Sequence, residues 1–192
     1  MEYASFLRNH IGSVIPVTEE ELALIAPHFT PVFVPRKSSL LSCDELVSKE
    51  YLVLQGCLKL YVIDEAAKEY IIQFAMENWW ISDYPAYHFK TRSTTCIQAL
   101  EDCWVLELTA ENKEKLIQQV PQMLVFFGQK SFGGFVALQK RVLSLLKNSA
   151  KEKYELLLNQ YPELFQRVSK TLIAHYLGVS RETLSRLERK KE

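Results

Sequence analysis

Apolar positions recur along this chain with two periods, and the changes of period divide it. Residues 1–29 read as helical: Phe6, Leu7 and Ile11 mark one short segment, and Thr18 opens another, with Glu21 placed to complete a capping box. Leu22, Leu24, Ile25 and Phe29 would dock that segment on the next domain. From Thr30 the period shortens. Segments 32–34, 40–42, 50–55, 57–64, 69–76, 96–100 and 103–108 are short, rich in β-branched and aromatic residues, and several alternate, as Leu58, Leu60 and Val62 do. Gly56 sits where a strand pair would bend, and 64–68 suits a hairpin tip. Many short strands in succession predict an antiparallel sandwich or barrel.

The helical period returns after residue 108. Thr109 is placed to open a helix with Asn112 in its first turn, and Pro121 suits the first turn of a long helix reaching about Lys147. Leu124, Phe127, Phe135, Leu138, Val142 and Leu145 give that helix an apolar face about 30 Å long at 1.5 Å per residue. Such a face needs a partner, either a second copy of the helix or the chain's own strands. Gly133 and Gly134 weaken the helix by roughly 1 kcal/mol each relative to Ala; they permit a close crossing or mark a bend. Ser149 suits a new helix start, 151–161 reads as helical with Leu156, Leu157 and Tyr161 inward, and Pro162 ends it.

The most informative stretch is 170–188, KTLIAHYLGVSRETLSRLE. Residues 170–177 place Leu172, Ile173, Tyr176 and Leu177 near one face. Gly178 follows as a C-cap, and Ser180 is an N-cap whose capping box is missing because Thr183 stands where Glu or Gln would complete it. A second helix from Arg181 buries Leu184 and Leu187. Ala174 falls where the two helices cross and leaves room for a close approach. These positions meet the steric pattern of a helix-turn-helix, whose second helix enters the DNA major groove with its N-terminal residues at base edges. Arg forks onto guanine and Glu accepts from the cytosine amino group. A helical hairpin that docks a protein partner is the competing reading, and it predicts no salt-dependent affinity for DNA.

The sequence VSRETLSRL resembles the recognition helix of the Crp/Fnr family of bacterial transcription regulators, and QGCLKLY with the surrounding strands resembles the double-stranded β-roll of cyclic-nucleotide-binding domains. The resemblance spans nearly the whole chain and is densest over 168–190. It implies an α+β protein: an antiparallel jelly-roll-like sensor over 1–120, a central dimerisation helix over 121–147 through Leu124, Phe127, Phe135, Leu138, Val142 and Leu145, and a helix-turn-helix DNA-binding domain over 148–192. The chain stops soon after the recognition helix, so the C-terminal β-wing of many members is expected to be absent. Arg181, Glu182 and Arg186 are implied as base readers and Ser180 and Thr183 as phosphate contacts, with Ser185, Arg189 and Lys170 on the same DNA-facing module. The implied partners are double-stranded DNA, a second copy of the chain and RNA polymerase.

Charge and cysteines refine this picture. The 23 Lys and Arg balance 23 Asp and Glu, yet the charges are unevenly spread. From Arg167 onward seven basic residues face three acidic ones, a net of +4, which leaves −4 on residues 1–166. A basic module on a mildly acidic body suits DNA binding. No signal-peptide core and no membrane-length apolar run is visible, so the cytoplasm is the expected compartment. Cys43, Cys57, Cys96 and Cys103 form no CxxC pair, so neither a cluster nor a metal is expected, and all four are read as buried free thiols.

In the family, cyclic nucleotide is held by a Gly-Glu pair on the ribose and an Arg-Ser pair on the phosphate. Anchored on 96–108, those positions fall here near Ser82-Asp83 and Ser93-Thr94, with Arg92 one residue early, and a one-residue slip in a strand turns a side chain to the opposite face. Three readings stand. The cassette has lost cyclic nucleotide and become packing, which is the reading adopted; it takes another small molecule on Trp79, Trp80, Tyr84, Tyr87 and Phe89; or it binds cyclic AMP through Arg92. No cofactor is expected. Catalysis is not expected either: His10, His28, His88 and His175 are remote from one another in sequence, and no nucleophile elbow, P-loop or zinc-protease motif occurs.

Overall fold

The structure is a computed structural model in which residues 3–189 are described, except for the side chains of Glu188 and Arg189. The fold is α+β, with two antiparallel four-stranded sheets, one long helix and a set of C-terminal helices. Helices α1 (Ala4–Gly12) and α2 (Glu19–Ile25) lead into β1 (Thr30–Val34), β2 (Ser39–Leu41), β3 (Lys49–Gln55), β4 (Leu58–Ile63), β5 (Glu69–Ala75) and β6 (Trp80–Ile81). After α3 (Tyr84–Phe89) come β7 (Cys96–Ala99), β8 (Cys103–Thr109) and the helices α4 (Ala110–Gln119), α5 (Met123–Lys147), α6 (Ala150–Gln160), α7 (Pro162–Arg167), α8 (Lys170–Leu177) and α9 (Arg181–Arg189). The sheet orders are β1-β8-β3-β6 and β2-β7-β4-β5.

The local signals act as their chemistry requires. Thr18 and Glu21 close a reciprocal capping box on α2, Ser149 and Glu152 do the same on α6, and Thr109 accepts from Asn112 N–H at the start of α4. At Gly56, where φ is +107°, an added Cβ would lie 2.5 Å from Cys103 Sγ and 2.8 Å from its Cα, so only glycine fits the bend between β3 and β4. The tip after β4 is set by Asp64, whose carboxylate accepts from Ala66 N–H, Lys68 N–H and Tyr70 Oη.

Contacts divide the chain into two compact units: residues 1–60 with 74–133, and residues 61–73 with 134–192. The first has a core of Leu7, Ile11, Ile25, Leu52, Leu106, Leu108, Leu116, Met123 and Phe126. At its edge His10 is buried with two partners: Trp80 Nε1 donates to its Nε2 at 3.0 Å, and its Nδ1 meets Asn78 Oδ1 at 3.2 Å. The second unit is built around Tyr154, Leu157, Leu164, Val168, Ile173, Ala174, Leu177 and Leu184.

Several expectations need correction. The aromatic stretch after β5, to which the sequence reading assigns no strand or helix, contains the short strand β6 and the helix α3, which Asp83 caps and Pro85 enters at its first turn. Pro162 opens α7 as well as ending α6, because a helix tolerates proline in its first turn. Leu156 is exposed, and Tyr154 takes the inward position on α6. Leu24 is likewise exposed on α2. Most consequentially, Cys43 and Cys96 are joined in a disulfide, and only Cys57 and Cys103 are buried free thiols. The paired cysteines are 53 positions apart in sequence, so their meeting depends on how the sheet folds back and not on local spacing.

Candidate nucleic-acid interface and effector cradle

In the second unit, α8 ends at Gly178, which adopts the left-handed conformation at φ +67° and returns its N–H to the last turn of the helix. Val179 N–H reaches Ala174 O at 3.0 Å, closing the turn. Ile173, Ala174, Leu177 and Leu184 are buried, while Leu172, Tyr176 and Leu187 are half-buried. Ser169, which the sequence reading passed over, caps α8 by accepting from Leu172 N–H. Ser180 Oγ accepts from Thr183 N–H at 3.2 Å, so the second helix is capped from one side only.

Arg181, Glu182, Ser185 and Arg186 line one shallow depression on α9. Arg181, Glu182 and Arg186 are exposed. Hydrogen bonding from its own backbone N–H, with help from Ser180 and the neighbouring arginines, holds the Glu182 carboxyl below the usual range, so it is an ionised acceptor. Thr183 is half-buried and its hydroxyl is engaged with neighbours on the same turn: Oγ1 lies 3.1 Å from Ser180 Oγ and accepts from Arg186 at 3.2 Å. Lys170 is exposed at the first residue of α8. The Arg189 side chain lies outside the described residues.

The expected dimerisation residues do not all share one environment. Leu124, Phe135, Leu138, Val142 and Leu145 are exposed on α5, with Val125, Phe132, Leu143 and Leu146 exposed on the same helix. Phe127 differs. It is 6% exposed and packs in the core of the first unit, edge-on to Phe126 and Trp80. The helix runs unbroken through Gly133 and Gly134, and a Cβ at either would meet nothing within 4 Å, so no close approach within this chain requires them.

Ser82, Asp83 and Ser93 are buried in the first unit, with Thr95 beside them. Asp83 is 2% exposed and its carboxylate is fully engaged. One oxygen accepts from Ala86 N–H at 3.1 Å; the other accepts from Ser93 Oγ at 2.8 Å, Thr95 Oγ1 at 2.9 Å and Thr94 N–H at 3.2 Å. Burial alone would push this carboxyl up, but the four hydrogen bonds outweigh it and hold it below the usual carboxylate range. Ser82 is turned away and donates to Lys49 O at 2.8 Å. Arg92 is exposed and engaged with Asp44, through its carbonyl at 2.5 Å and its carboxylate at 3.7 Å. Thr95 was missed by the sequence reading, which stopped at Thr94. The available signal was the run of three hydroxyl residues Ser93, Thr94 and Thr95, which bends before β7 and turns Thr95 N–H back onto Ser93 Oγ.

Residues 31–120 match the cyclic nucleotide-binding domain family. The cAMP-activated global transcriptional regulator CRP of Escherichia coli is 23% identical over 185 residues, covering 90% of this chain and 87% of that protein; the protein of the same description from Pasteurella multocida is 24% identical, covering 80% and 78%. Among solved structures, the c-di-GMP-responsive global regulator CLP of Xanthomonas campestris superposes with TM-score 0.72 at 14% identity, covering 90% of this chain and 91% of that one. FixK2 of Bradyrhizobium japonicum gives TM-score 0.72 at 19% identity, covering 84% and 83%. The chain thus matches a cyclic nucleotide-binding domain over part of its length, and over most of its length it is similar to regulators of the Crp/Fnr type.

The curated relatives that it matches over most of its length are described as transcriptional regulators. Among the described residues no helix is long and apolar enough to cross a membrane, and no group of three or more His, Cys, Asp or Glu is placed to hold a metal ion.

Proposed function

We propose that this chain is a Crp/Fnr-type transcription regulator that binds an inverted-repeat DNA site as a homodimer in the cytoplasm, and that its effector cradle has lost cyclic AMP. The observation that carries DNA binding is the capped α8–α9 pair, which buries its apolar side and presents Arg181, Glu182, Ser185 and Arg186 together. Two such helices related by a two-fold axis would enter successive major grooves about 34 Å apart. The exposed apolar residues of α5 supply the reason to dimerise, since a contiguous apolar surface of this kind marks an interaction site. Functionally the chain then divides into a sensor over 1–120, a dimerisation helix over 121–147 and a DNA-binding domain over 148–192, with RNA polymerase as the further partner.

Loss of cyclic nucleotide is supported by Asp83. The hydroxyls and N–H of the Ser93–Thr95 strip, which a cyclic phosphate would need, already serve a carboxylate. A second anion there would meet like charge in a desolvated site. Arg92 is committed to Asp44.

The test is a fluorescence-anisotropy titration on DNA selected from genomic fragments, at two salt concentrations, without nucleotide and with cyclic AMP or cyclic di-GMP. Selective, salt-dependent binding unchanged by either nucleotide supports the proposal. Binding that requires cyclic AMP would overturn the reading of Asp83. No selective binding under any condition would leave the helical hairpin as a protein-docking surface.

A further inference from the structure

The disulfide lies beside the Asp83 cluster. Cys96 opens β7 immediately after Thr95, and Cys43 lies in the exposed segment after β2. That segment runs alongside 91–96: Asp44 N–H donates to Ser93 O at 2.8 Å, Ser93 N–H donates to Glu45 O at 2.8 Å, and Leu46 pairs with Arg92. The two strips are therefore aligned by backbone hydrogen bonds as well as by the covalent bond. Once the bond is cut, those contacts keep the thiols near each other, so closing it again requires little loss of chain entropy.

Access separates Cys43 from the other cysteines, Cys96 being buried at 9% exposure. Cys57 and Cys103 are both 0% exposed, whereas Cys43 lies on an exposed segment. An exposed disulfide is open to attack by a small thiolate, and exposed or labile bonds are the ones that exchange. In a cytoplasmic protein a disulfide is more often a redox site than a permanent staple; this step rests on the compartment proposed above.

We propose that Cys43 and Cys96 form a redox-modification site that opens and closes by thiol–disulfide exchange with a low-molecular-weight disulfide, and that the bond sets how firmly the Ser93–Thr95 strip holds Asp83. In the closing direction, the Cys43 thiolate attacks one sulfur of glutathione disulfide, forming a mixed disulfide and releasing one glutathione thiolate. The Cys96 thiolate then attacks Cys43 Sγ, which forms the protein disulfide and releases the second glutathione. Two protein thiols are oxidised, one glutathione disulfide is reduced to two thiols, and the protons pass from the cysteines to the departing thiolates. Opening is the reverse. The effect is local because Thr95 is bonded to Cys96 in the chain and donates to Asp83, which caps α3. Freeing segment 43–47 removes the covalent restraint on the strip that supplies three of the four donors to that carboxylate.

The test equilibrates the full-length protein in glutathione buffers of graded reduced-to-oxidised ratio, traps thiols by alkylation, and reads Cys43, Cys57, Cys96 and Cys103 by mass spectrometry. Hydrogen exchange of 84–95 is measured in parallel on the oxidised protein, the reduced protein and Cys43→Ser. The expected result is a reversible transition confined to Cys43 and Cys96 while the protein stays folded. Exchange at 84–95 should be several-fold faster when the pair is reduced, and Cys43→Ser should match the reduced form whatever the buffer. A bond that persists in every buffer, one that never forms, or identical exchange at 84–95 in the two states would each overturn the proposal. These readouts involve no DNA, so they stand apart from a failure of the anisotropy experiment.

Discussion

The guanidinium of Arg141 lies 3.7 Å from the centroid of the Tyr176 ring and donates to the Tyr176 carbonyl oxygen at 3.2 Å. The same group donates to Ile71 O at 2.6 Å and to Ile72 O. One side chain thus joins β5, α5 and the last turn of α8, where helix carbonyls lack partners within the helix and a cation is favoured.

Arg141→Ala should therefore destabilise the second unit by about 1–3 kcal/mol, from lost charge-assisted hydrogen bonds and cation–π stacking. Arg141→Lys should recover only part, because an ammonium has neither the planar fork nor the stacking face. Thermal melts give the size of the loss, and hydrogen exchange at 69–73 and 170–178 locates it. Full recovery by Lys would show that charge alone matters there.

His10 gives the folded protein a pH dependence. Burial, then the nearby Lys130 charge, lowers its pKa to about 4 although the Asn78 contact opposes the shift. Below the ordinary imidazole value of about 6.5 the unfolded chain takes up a proton that the folded protein refuses until near pH 4, so stability falls as pH drops through that window. The contribution is on the order of 2 kcal/mol. Urea unfolding at pH 5 and pH 7 should show the difference in the parent protein and a smaller one in His10→Gln. Equal slopes in both proteins would remove His10 as the source.

Asp83→Asn should destabilise the first unit by about 1–3 kcal/mol, because an amide cannot accept from all four donors and its NH₂ faces hydroxyls and N–H groups. Chemical unfolding measures this. An unchanged midpoint would mean that the cluster is not what holds α3.

Arg181→Ala and Arg186→Ala should each cost about 1–3 kcal/mol on the selected DNA site and relax base preference, with a smaller effect on random DNA. Competition between specific and random duplexes separates the two. A uniform loss on both would reassign these side chains to phosphate contacts.

Leu138→Glu combined with Val142→Glu should convert a dimer to monomer, since each places a charge on the exposed apolar side of α5. Phe127→Ala should act differently, lowering stability by about 3–5 kcal/mol without a selective effect on assembly, because Phe127 is a core residue. Light scattering together with thermal melts distinguishes these outcomes. A parent protein that is monomeric at working concentration would remove the dimer from the proposal.

Features that depend on a few neighbouring residues were legible in one dimension. The capping box of Thr18 with Glu21, the helix start at Ser149, the C-cap at Gly178, the N-cap at Ser180 and the burial of Ile173, Ala174, Leu177 and Leu184 rest on contacts within about one helical turn or on helical period. The strands were legible as segments, and their pairing order β1-β8-β3-β6 and β2-β7-β4-β5 was not. Long-range contacts set the rest. Cys43 and Cys96 meet across 53 positions, Asp83 finds three of its four donors 10 to 12 residues away, and Arg141 reaches carbonyls 35 and 70 residues distant. Phe127 lies on the same apolar helix as Leu138, yet one is in the core and the other is exposed. Periodicity marks a residue as apolar and helical, whereas burial depends on which other parts of the chain fold over it.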